Sequence, residues 1–394
     1  MTVQSRSWLV ALAVVCVALN LRPALAAIGP LLDMIEAATG LSHTQAGLLT
    51  TLPVFAMGFV GVWGMRIRQG LDERRGICVG LALVFIACAG RAVAMGTLGL
   101  VATALVAGVG IAWVQVVVPA FIKRRFAADA GRVFALYTTG IMAGAAFAAA
   151  SAAGLASRLG WTGALAVWAV PALLGMPVWW LATRGATAPV TVRAAAAEVV
   201  RPAFWRHRRA WALMAFFGIS TGAYTLVLAW LPPYYTGLGW HPAAAGFLLG
   251  GLTLAEVIVG LAVSAWIDRW PDRRKPLAAA LAALIVGLVC LLVAPLSLAL
   301  PACLLLGIGI GALFPLSLIV TLDHIDDPAQ AGMLTAFVQG GGYMLASLMP
   351  LLAGVLRDRF ADLSHAWLVM LVGALALLVL CTRFAPASYH RMQA

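Results

Sequence analysis

The sequence predicts an all-α membrane protein that crosses the bilayer many times. Of its 394 residues, 63% are hydrophobic and only 10% are charged, and the mean hydropathy is +1.00. A soluble protein of this length needs far more charge to cover its surface. Many apolar segments run for about 20 residues, the length that a helix needs to cross a hydrocarbon core. Because these segments are continuously apolar rather than alternating, a β-barrel is excluded.

Twelve apolar segments can be placed along the chain, six on each side of one long polar segment. They cover residues 8–32, 44–66, 75–94, 97–121, 132–156, 161–182, 209–233, 243–267, 276–296, 300–322, 331–356 and 364–383. The polar segment is rich in arginine. We therefore predict twelve transmembrane helices in an N-terminal six-helix bundle (1–182), a linker (183–208) and a C-terminal six-helix bundle (209–394).

Basic residues give the chain a net charge of +12 and are concentrated in the short loops on one side of the predicted bundle. These loops include Arg74, Arg75, Lys123, Arg124, Arg125, Arg273, Arg274 and Lys275. Short loops rich in lysine and arginine face the cytoplasm. The sequence therefore predicts a multi-pass protein of the bacterial inner membrane, with both termini and the linker in the cytoplasm.

Several other classes of protein are not expected. No aromatic residues interleave the basic loops into a surface for nucleic acid. The six cysteines have no metal-ligand spacing, and the acidic loop 322–328 matches no metal site. No nucleophile–base pair lies within the spans, so an enzyme is not expected. We predict a monomer without metal or cofactor.

The two halves of the chain repeat each other. "GLSHTQAGLLTTL" (40–52) resembles "GWHPAAAGFLLGGL" (239–252), and "LVAGVGIAWVQ" (105–115) resembles "LLLGIGIGALF" (304–314). Both matches have the same offset, as a six-plus-six duplication requires. Parallel repeats about an axis along the membrane normal are typical of major facilitator transporters, whose substrate site lies between the halves near the bilayer midplane. The sequence thus predicts a major facilitator fold with two pseudo-symmetric halves.

The loop after the second span of the C-terminal half is also typical of that fold. "IDRWPDRRK" (267–275) resembles the Asp-Arg and basic cluster that many facilitators carry between spans 8 and 9. Such clusters hydrogen-bond the ends of neighbouring helices and hold the inward gate shut. The alternative is that they only orient the protein in the membrane. The predicted gate residues are Asp268, Arg269, Arg273 and Arg274.

Five segments resemble the cyanate permease family of major facilitators, which also includes 2-nitroimidazole exporters. They are "LNLRPALAAIGPLL" (19–32), "GLSHTQAGLLTTLPV" (40–54), "GVGIAWVQVVVPAFIKRRF" (108–126), "AWLPPYYTGLG" (229–239) and "LDHIDDPAQAGMLTAFVQGGG" (322–342). The resemblance spans the whole chain, and the Asn-x-Arg-Pro element of the first span is its most specific mark. It implies a proton-linked or facilitated carrier for small anions or small nitrogenous compounds.

Arg22 lies close to the centre of the first predicted span. A bare arginine at that depth costs from ~3 to over ~10 kcal/mol, so its side chain should face a cavity, a carboxylate or both. Pro23 removes a backbone donor and loosens the turn before it, which frees a carbonyl near Asn20. A guanidinium suits a small anion because it is always charged and presents several donors in one plane. The alternative is a structural role at the helix break or in a fixed ion pair.

Glu256 is the one acidic residue predicted to lie as deep as Arg22, near the centre of the eighth span. At that depth a carboxyl group should be protonated or paired. Two roles are open for it: a proton-coupling site that responds to whether an anion occupies Arg22, or a permanent counter-ion of Arg22.

Other polar side chains lie in spans that should border the cavity. They are Gln115 in span 4, Thr221 and Tyr224 in span 7, and Gln339 with Tyr343 in span 11. Gln339 and Tyr343 are four residues apart and therefore share a helical face. Together with Arg22 and Asn20 these residues form the predicted substrate site, although each can instead form a helix–helix hydrogen bond.

Three functional hypotheses follow. The first is a secondary active transporter that moves a small anion such as cyanate by alternating access, with proton linkage. The second is an exporter of 2-nitroimidazole or another small heterocycle, in which Arg22 hydrogen-bonds a nitro or carbonyl group. The third is a membrane sensor on a transporter scaffold, which should carry a sizeable soluble domain or tail; the sequence has neither.

Overall fold

A computed structural model of the chain describes residues 3–67, 72–93, 96–126, 129–184 and 204–392. All regular secondary structure in these ranges is helical. The α-helices are α1 (Val3–Leu19), α2 (Pro23–Ala26), α3 (Leu32–Thr39), α4 (His43–Ile67), α5 (Glu73–Gly90), α6 (Thr97–Phe126), α7 (Ala130–Ala166), α8 (Ala169–Ala182), α9 (Arg208–Gly237), α10 (Pro242–Trp266), α11 (Arg274–Val293), α12 (Ala299–Leu322), α13 (Pro328–Phe360) and α14 (Ser364–Cys381). Most of the predicted linker lies outside the described residues.

The twelve predicted spans are confirmed. Ten of the described helical segments are long and apolar enough to cross a membrane. The other two spans are α5, whose first turn is charged, and the sixth span, which ends in the shorter α8. Gly160 has the non-helical angles φ 70° and ψ 168° inside α7 and divides that helix in two. The end of α7 therefore belongs with α8 to the sixth span.

The first span is a broken helix rather than a continuous one. α1 ends at Leu19, the chain turns through three residues, and Pro23 begins α2. A 3₁₀ turn at Gly29–Leu31 then leads into α3, so the span continues to Thr39. Proline has no backbone N–H and its ring clashes with the carbonyl four residues earlier, which explains a break at this position.

Side chains compensate for the hydrogen bonds that the break removes. The backbone N–H of Asn20 bonds to Val17, and the Asn20 side-chain Nδ2 donates instead to the Cys16 carbonyl at 2.7 Å. The Ala24 carbonyl accepts from Arg91 Nη1 at 2.7 Å, since the Ile28 N–H bonds to Leu25. Buried carbonyls need such partners in a bilayer, so these contacts stabilise the break.

Equivalent glycines have equivalent roles in the two halves. Gly40 ends the first span with φ +69°, and Gly239 follows the seventh span with φ +93°, a conformation that glycine adopts without strain. A Cβ atom on Gly47 would lie 2.6 Å from the Pro350 carbonyl oxygen. A Cβ atom on Gly246, the repeat counterpart of Gly47, would lie 2.7 Å from the Ala149 oxygen. These paired close approaches confirm the predicted duplication.

Two long helix pairs hold the halves together. α4 packs along α13, and α7 packs against α10. In the first pair, Thr51 donates to the Ser347 carbonyl at 2.8 Å. α6 ends, and α11 begins, at the face of the bundle that carries residues 123–125 and 273–275. We call this face the basic end and the other face the opposite end.

The opposite end is joined across the halves by a cluster of polar contacts. Asp358, at the end of α13, accepts from the His43 and Thr44 backbone N–H groups at 3.0 and 2.8 Å and from the Thr44 hydroxyl at 2.6 Å. It thereby caps the N-terminus of α4 from the other half of the chain. Asp33 accepts from the Thr236 hydroxyl and lies 3.7 Å from Arg357. These bonds close the opposite end.

Candidate functional site

Arg22 is buried at the break in the first span. Its side chain is only 4% exposed. The guanidinium carbon lies 5.4 Å from the centroid of the Tyr224 ring, and the Tyr343 side chain also lies close to the guanidinium. Its Nε has no hydrogen-bond partner, and no carboxylate among the described residues forms an ion pair with it. The break thus places a buried positive charge at the interface of the halves without neutralising it by contact.

Glu256 faces the same region from α10. It is 5% exposed, and its Oε1 has no hydrogen-bond partner among the described residues. Arg22 acts on it electrostatically, although the two side chains are not in ion-pair contact. A Cβ atom on Gly311 would come within 2.6 Å of the Glu256 backbone, so α12 packs tightly behind this carboxyl group. Arg22 and Glu256 therefore lie close enough to interact electrostatically but do not form an ion pair.

Tyr137 is a part of the site that the sequence analysis missed. This α7 side chain is 3% exposed, its hydroxyl has no partner among the described residues, and it lies within electrostatic range of Arg22. α7 reaches the break because Gly140 and Gly144 allow it to pack on α1, where a Cβ atom on Gly144 would overlap the Leu19 carbonyl. The glycine spacing along α7 was the available signal for this close packing.

The other predicted lining residues have different surroundings. Asn20 is bonded to its own helix, and its Nδ2 lies 3.3 Å from the position of a Cβ atom on Gly175 in α8, within the N-terminal half. Gln115 and Gln339 are half-buried on α6 and α13. Tyr343 is also half-buried and packs edge-on against Phe217, with ring centroids 5.4 Å apart. Substrate contact by each of these residues stays a prediction.

The arrangement around Arg22 has the chemistry of an anion site. A guanidinium and hydroxyl groups all supply hydrogen-bond donors, and charge-assisted hydrogen bonds are the strongest in proteins. Arg22 and Tyr137 come from the N-terminal half, and Tyr224 and Glu256 from the C-terminal half. Among the described residues, no three His, Cys, Asp or Glu side chains are grouped as metal ligands.

At the basic end, the predicted gate arginines contact neighbouring helix ends. Arg273 donates to the Asp323 carboxylate at 2.9 Å and, through Nη1, to the Ile267 and Trp270 carbonyls at 2.7 and 2.8 Å. All of these partners belong to the C-terminal half.

The remaining predicted gate residues differ in their contacts. Arg274 pairs with Asp272 at 2.7 Å, and its hydrogen bonds hold the pKa of Asp272 below its usual range. Arg269 is exposed. The side chain of Asp268 lies outside the described residues. A gate role for this group stays a prediction.

A buried histidine lies beside this cluster. His324 is fully buried and accepts a hydrogen bond from Arg209 Nε at 2.9 Å. Its Nδ1 is 2.6 Å from the Val320 carbonyl, so Nδ1 carries the proton in the neutral ring. Burial, helped by the Arg209 charge, lowers the pKa of His324 to about 4. His324 is therefore a neutral structural residue at neutral pH.

Two pseudo-symmetric six-helix halves, with a buried cation at their interface, define a polytopic membrane carrier. Residues 10–348 match the sequence profile of the Major Facilitator Superfamily, and the chain belongs to this family. It is accordingly a transporter and not an enzyme.

Relatives and solved structures agree with this assignment. The chain is 35% identical to the cyanate transport protein CynX of Escherichia coli K12, over 97% of this chain and 98% of that protein. It is 30% identical to the 2-nitroimidazole transporter of the same organism, over 94% and 93% of the two chains. The fold superimposes on an inward-facing, unoccupied bacterial homologue of the human lysosomal transporter Spinster, with TM-score 0.78, 15% identity, and coverage of 100% and 98%.

Proposed function

We propose that this protein is a secondary active transporter that moves a small monovalent anion such as cyanate across the bacterial inner membrane by alternating access. The observation that carries the proposal is Arg22, a buried guanidinium with no ion-pair partner among the described residues. Such a charge is costly in a membrane interior and is retained there for function. The similarity to a cyanate transport protein supports this substrate class.

We propose that transport is linked to protons through Glu256. An anion at Arg22 screens the positive charge that otherwise favours an ionised carboxylate, so anion binding and protonation of Glu256 favour each other. In the alternative role, Glu256 is a permanent counter-ion and transport needs no proton. Replacing Glu256 with glutamine distinguishes the roles: we expect loss of accumulation driven by a pH gradient, with exchange of anion retained. Intact accumulation in the variant would assign coupling elsewhere.

Binding and uptake measured with purified protein test the anion site. The probes are cyanate, nitrate, bicarbonate and 2-nitroimidazole, each offered to the parent protein, to Arg22→Ala and to the exposed control Arg158→Ala. Loss of even one hydrogen bond to a charged group costs about 1.5–3 kcal/mol, so the Kd should rise by about tenfold or more in Arg22→Ala only. Equal affinity of the Arg22→Ala variant and the parent would refute the site.

An exporter of a small nitrogen heterocycle is the second candidate. The 2-nitroimidazole transporter similarity and the Tyr224 ring beside Arg22 favour it, because an aromatic ring offers a stacking surface to a planar ligand. In that case 2-nitroimidazole binds more tightly than any of the anions, and removing the Tyr224 ring weakens it more than removing the Arg22 charge.

We further propose the orientation and organisation that this function needs. Both termini and the linker 183–208 lie in the cytoplasm. The protein acts as a monomer in which the bundles 1–182 and 209–394 move relative to each other. Residues 268–274 form the cytoplasmic gate. Asn20, Gln115, Gln339 and Tyr343 complete the cavity lining. The positive-inside distribution of the loops supports this orientation. Alkaline phosphatase fused after the last residue tests it and should be inactive.

A further inference from the structure

Three buried hydroxyl groups, two of them near Arg22 and the third one helical turn away, have no partner in the described part of the protein. They belong to Tyr137, Tyr224 and Thr221. Buried polar side chains in proteins are nearly always hydrogen-bonded, so each exception needs an explanation. Thr221 and Tyr224 are three residues apart on α9 and therefore lie on one side of that helix.

Comparable hydroxyls elsewhere in the chain do have partners. The Tyr235 hydroxyl donates to the Pro295 carbonyl at 3.1 Å, and the Tyr234 hydroxyl to the Leu291 carbonyl at 2.8 Å. Thr225, one turn beyond Thr221 on α9, donates to the Gly222 and Ala346 carbonyls. Among the buried tyrosine and threonine hydroxyls of the described residues, only that of Tyr389, beside His324, is unpaired outside this group of three.

The three hydroxyls come from both halves of the transporter. Tyr137 is on α7, which packs directly on the helix break, whereas Thr221 and Tyr224 are on α9. Tyr137 and Tyr224 both lie within electrostatic range of the Arg22 charge. A ligand held by Arg22 is thus approached by donors from the N-terminal and the C-terminal half together.

We propose that Tyr137, Tyr224 and Thr221 form a hydroxyl subsite that hydrogen-bonds the anion whose charge Arg22 balances. The inference rests on the proposed function, because it requires an anion at Arg22. Donors on several sides of one small ligand select an anion with two or more acceptor atoms, such as a pseudohalide or a planar oxyanion. A monatomic halide also accepts several hydrogen bonds, but all of them converge on one atom, so donors arranged around a longer or planar anion should bind it less tightly. The hydroxyls therefore set specificity, and Arg22 sets the sign of the charge.

Titration calorimetry on the purified full-length protein tests this subsite. The probes are sodium cyanate, sodium nitrate and sodium chloride. The variants are Tyr137→Phe and Tyr224→Phe, which remove only the hydroxyl, and Thr221→Val, which replaces the hydroxyl with a methyl group of similar volume. We expect the Kd for cyanate or nitrate to rise about tenfold in each variant, and the Kd for chloride to change much less. A ligand that leaves buried donors of the protein unpaired is bound more weakly, which is the basis of the expected selectivity.

Matched controls separate this effect from general damage. Tyr235→Phe and Thr225→Val remove hydroxyls that are bonded within the protein, so they should lower the melting temperature and leave the Kd unchanged. Tyr137→Phe removes an unpaired hydroxyl and should not lower the melting temperature of the ligand-free protein. This combination of unchanged stability and weakened binding is not expected from a structural residue.

The outcomes distinguish the two levels of the proposal. If Arg22→Ala abolishes anion binding but the three hydroxyl variants bind as tightly as the parent, the subsite is refuted and the anion transporter stands. If the parent binds 2-nitroimidazole and none of the anions, both the subsite and the proposed function are refuted. If the hydroxyl variants lose cyanate and chloride to the same extent, the hydroxyls do not set specificity.

Discussion

Replacing Asp358 with alanine tests whether the capping contact across the halves holds the opposite end closed. The Asp358 carboxylate is exposed and accepts three hydrogen bonds from the first turn of α4. A capping residue contributes about 1 kcal/mol, and a negative charge at a helix N-terminus about 0.5 kcal/mol more. Because the contact joins the two halves, its loss should favour the form that is open at the opposite end by about 1–2 kcal/mol, or about 5- to 30-fold.

Cysteine labelling at Thr51 measures this shift. Thr51 is 6% exposed and bonded across the halves to Ser347, so a cysteine there is inaccessible until the opposite end opens. In a background without the six native cysteines, the maleimide labelling rate of Thr51→Cys should rise about 5- to 30-fold when Asp358→Ala is added. Asp362→Ala is the matched control, because Asp362 accepts a hydrogen bond from the N–H of Ser364, two residues away, and this bond does not join the two halves. Unchanged labelling with Asp358→Ala, or an equal rise with Asp362→Ala, would refute the capping argument.

Two further predictions concern stability. The pKa of His324 is about 4 in the folded protein and about 6.5 when unfolded, so the unfolded chain binds more protons in this range and stability should fall as the pH drops from 6.5 to 4. The melting temperature measured against pH should therefore fall less steeply below pH 6.5 for His324→Gln than for the parent; parallel curves would contradict a neutral buried ring. Gly47→Ala should destabilise the protein by about 1–3 kcal/mol because its Cβ meets the Pro350 carbonyl, whereas Gly251→Ala, which meets nothing within 4 Å, should stabilise it by about 0.5–1 kcal/mol. Denaturation of both variants tests this, and equal effects would contradict the close approach of α4 and α13.

The sequence predicts the spans well because each is set by its own composition. Twelve apolar segments and the repeated glycines depend on local hydropathy and close packing, and the structure has both. The break at Pro23 was also predictable as a weak point, since proline acts on its own helix. What composition does not predict is the extent of the rearrangement, in which two side chains replace the lost backbone hydrogen bonds.

The parts of the site that were missed depend on tertiary contacts. Tyr137 lies in a helix of small residues, and only the packing of α7 on the break brings it to Arg22. Arg91 ends the third predicted span like an ordinary boundary arginine, yet it is fully buried and bonds a carbonyl that a break in another helix leaves free. Asn20 shows the opposite case, since its proximity to Arg22 in sequence does not direct its amide toward the C-terminal half.

The hydrogen bonds at the break in the first span also indicate which parts of the site should move together during transport. The carbonyls of Cys16 and Ala24 are bonded by Asn20 and Arg91, and all four residues belong to the N-terminal half. We therefore expect the broken segment to move together with that half, and Tyr224 and Glu256 to move with the other half. We expect the 5.4 Å distance between the Arg22 guanidinium carbon and the Tyr224 ring to change when the two halves move relative to each other. That distance would then differ between the stages of the transport cycle.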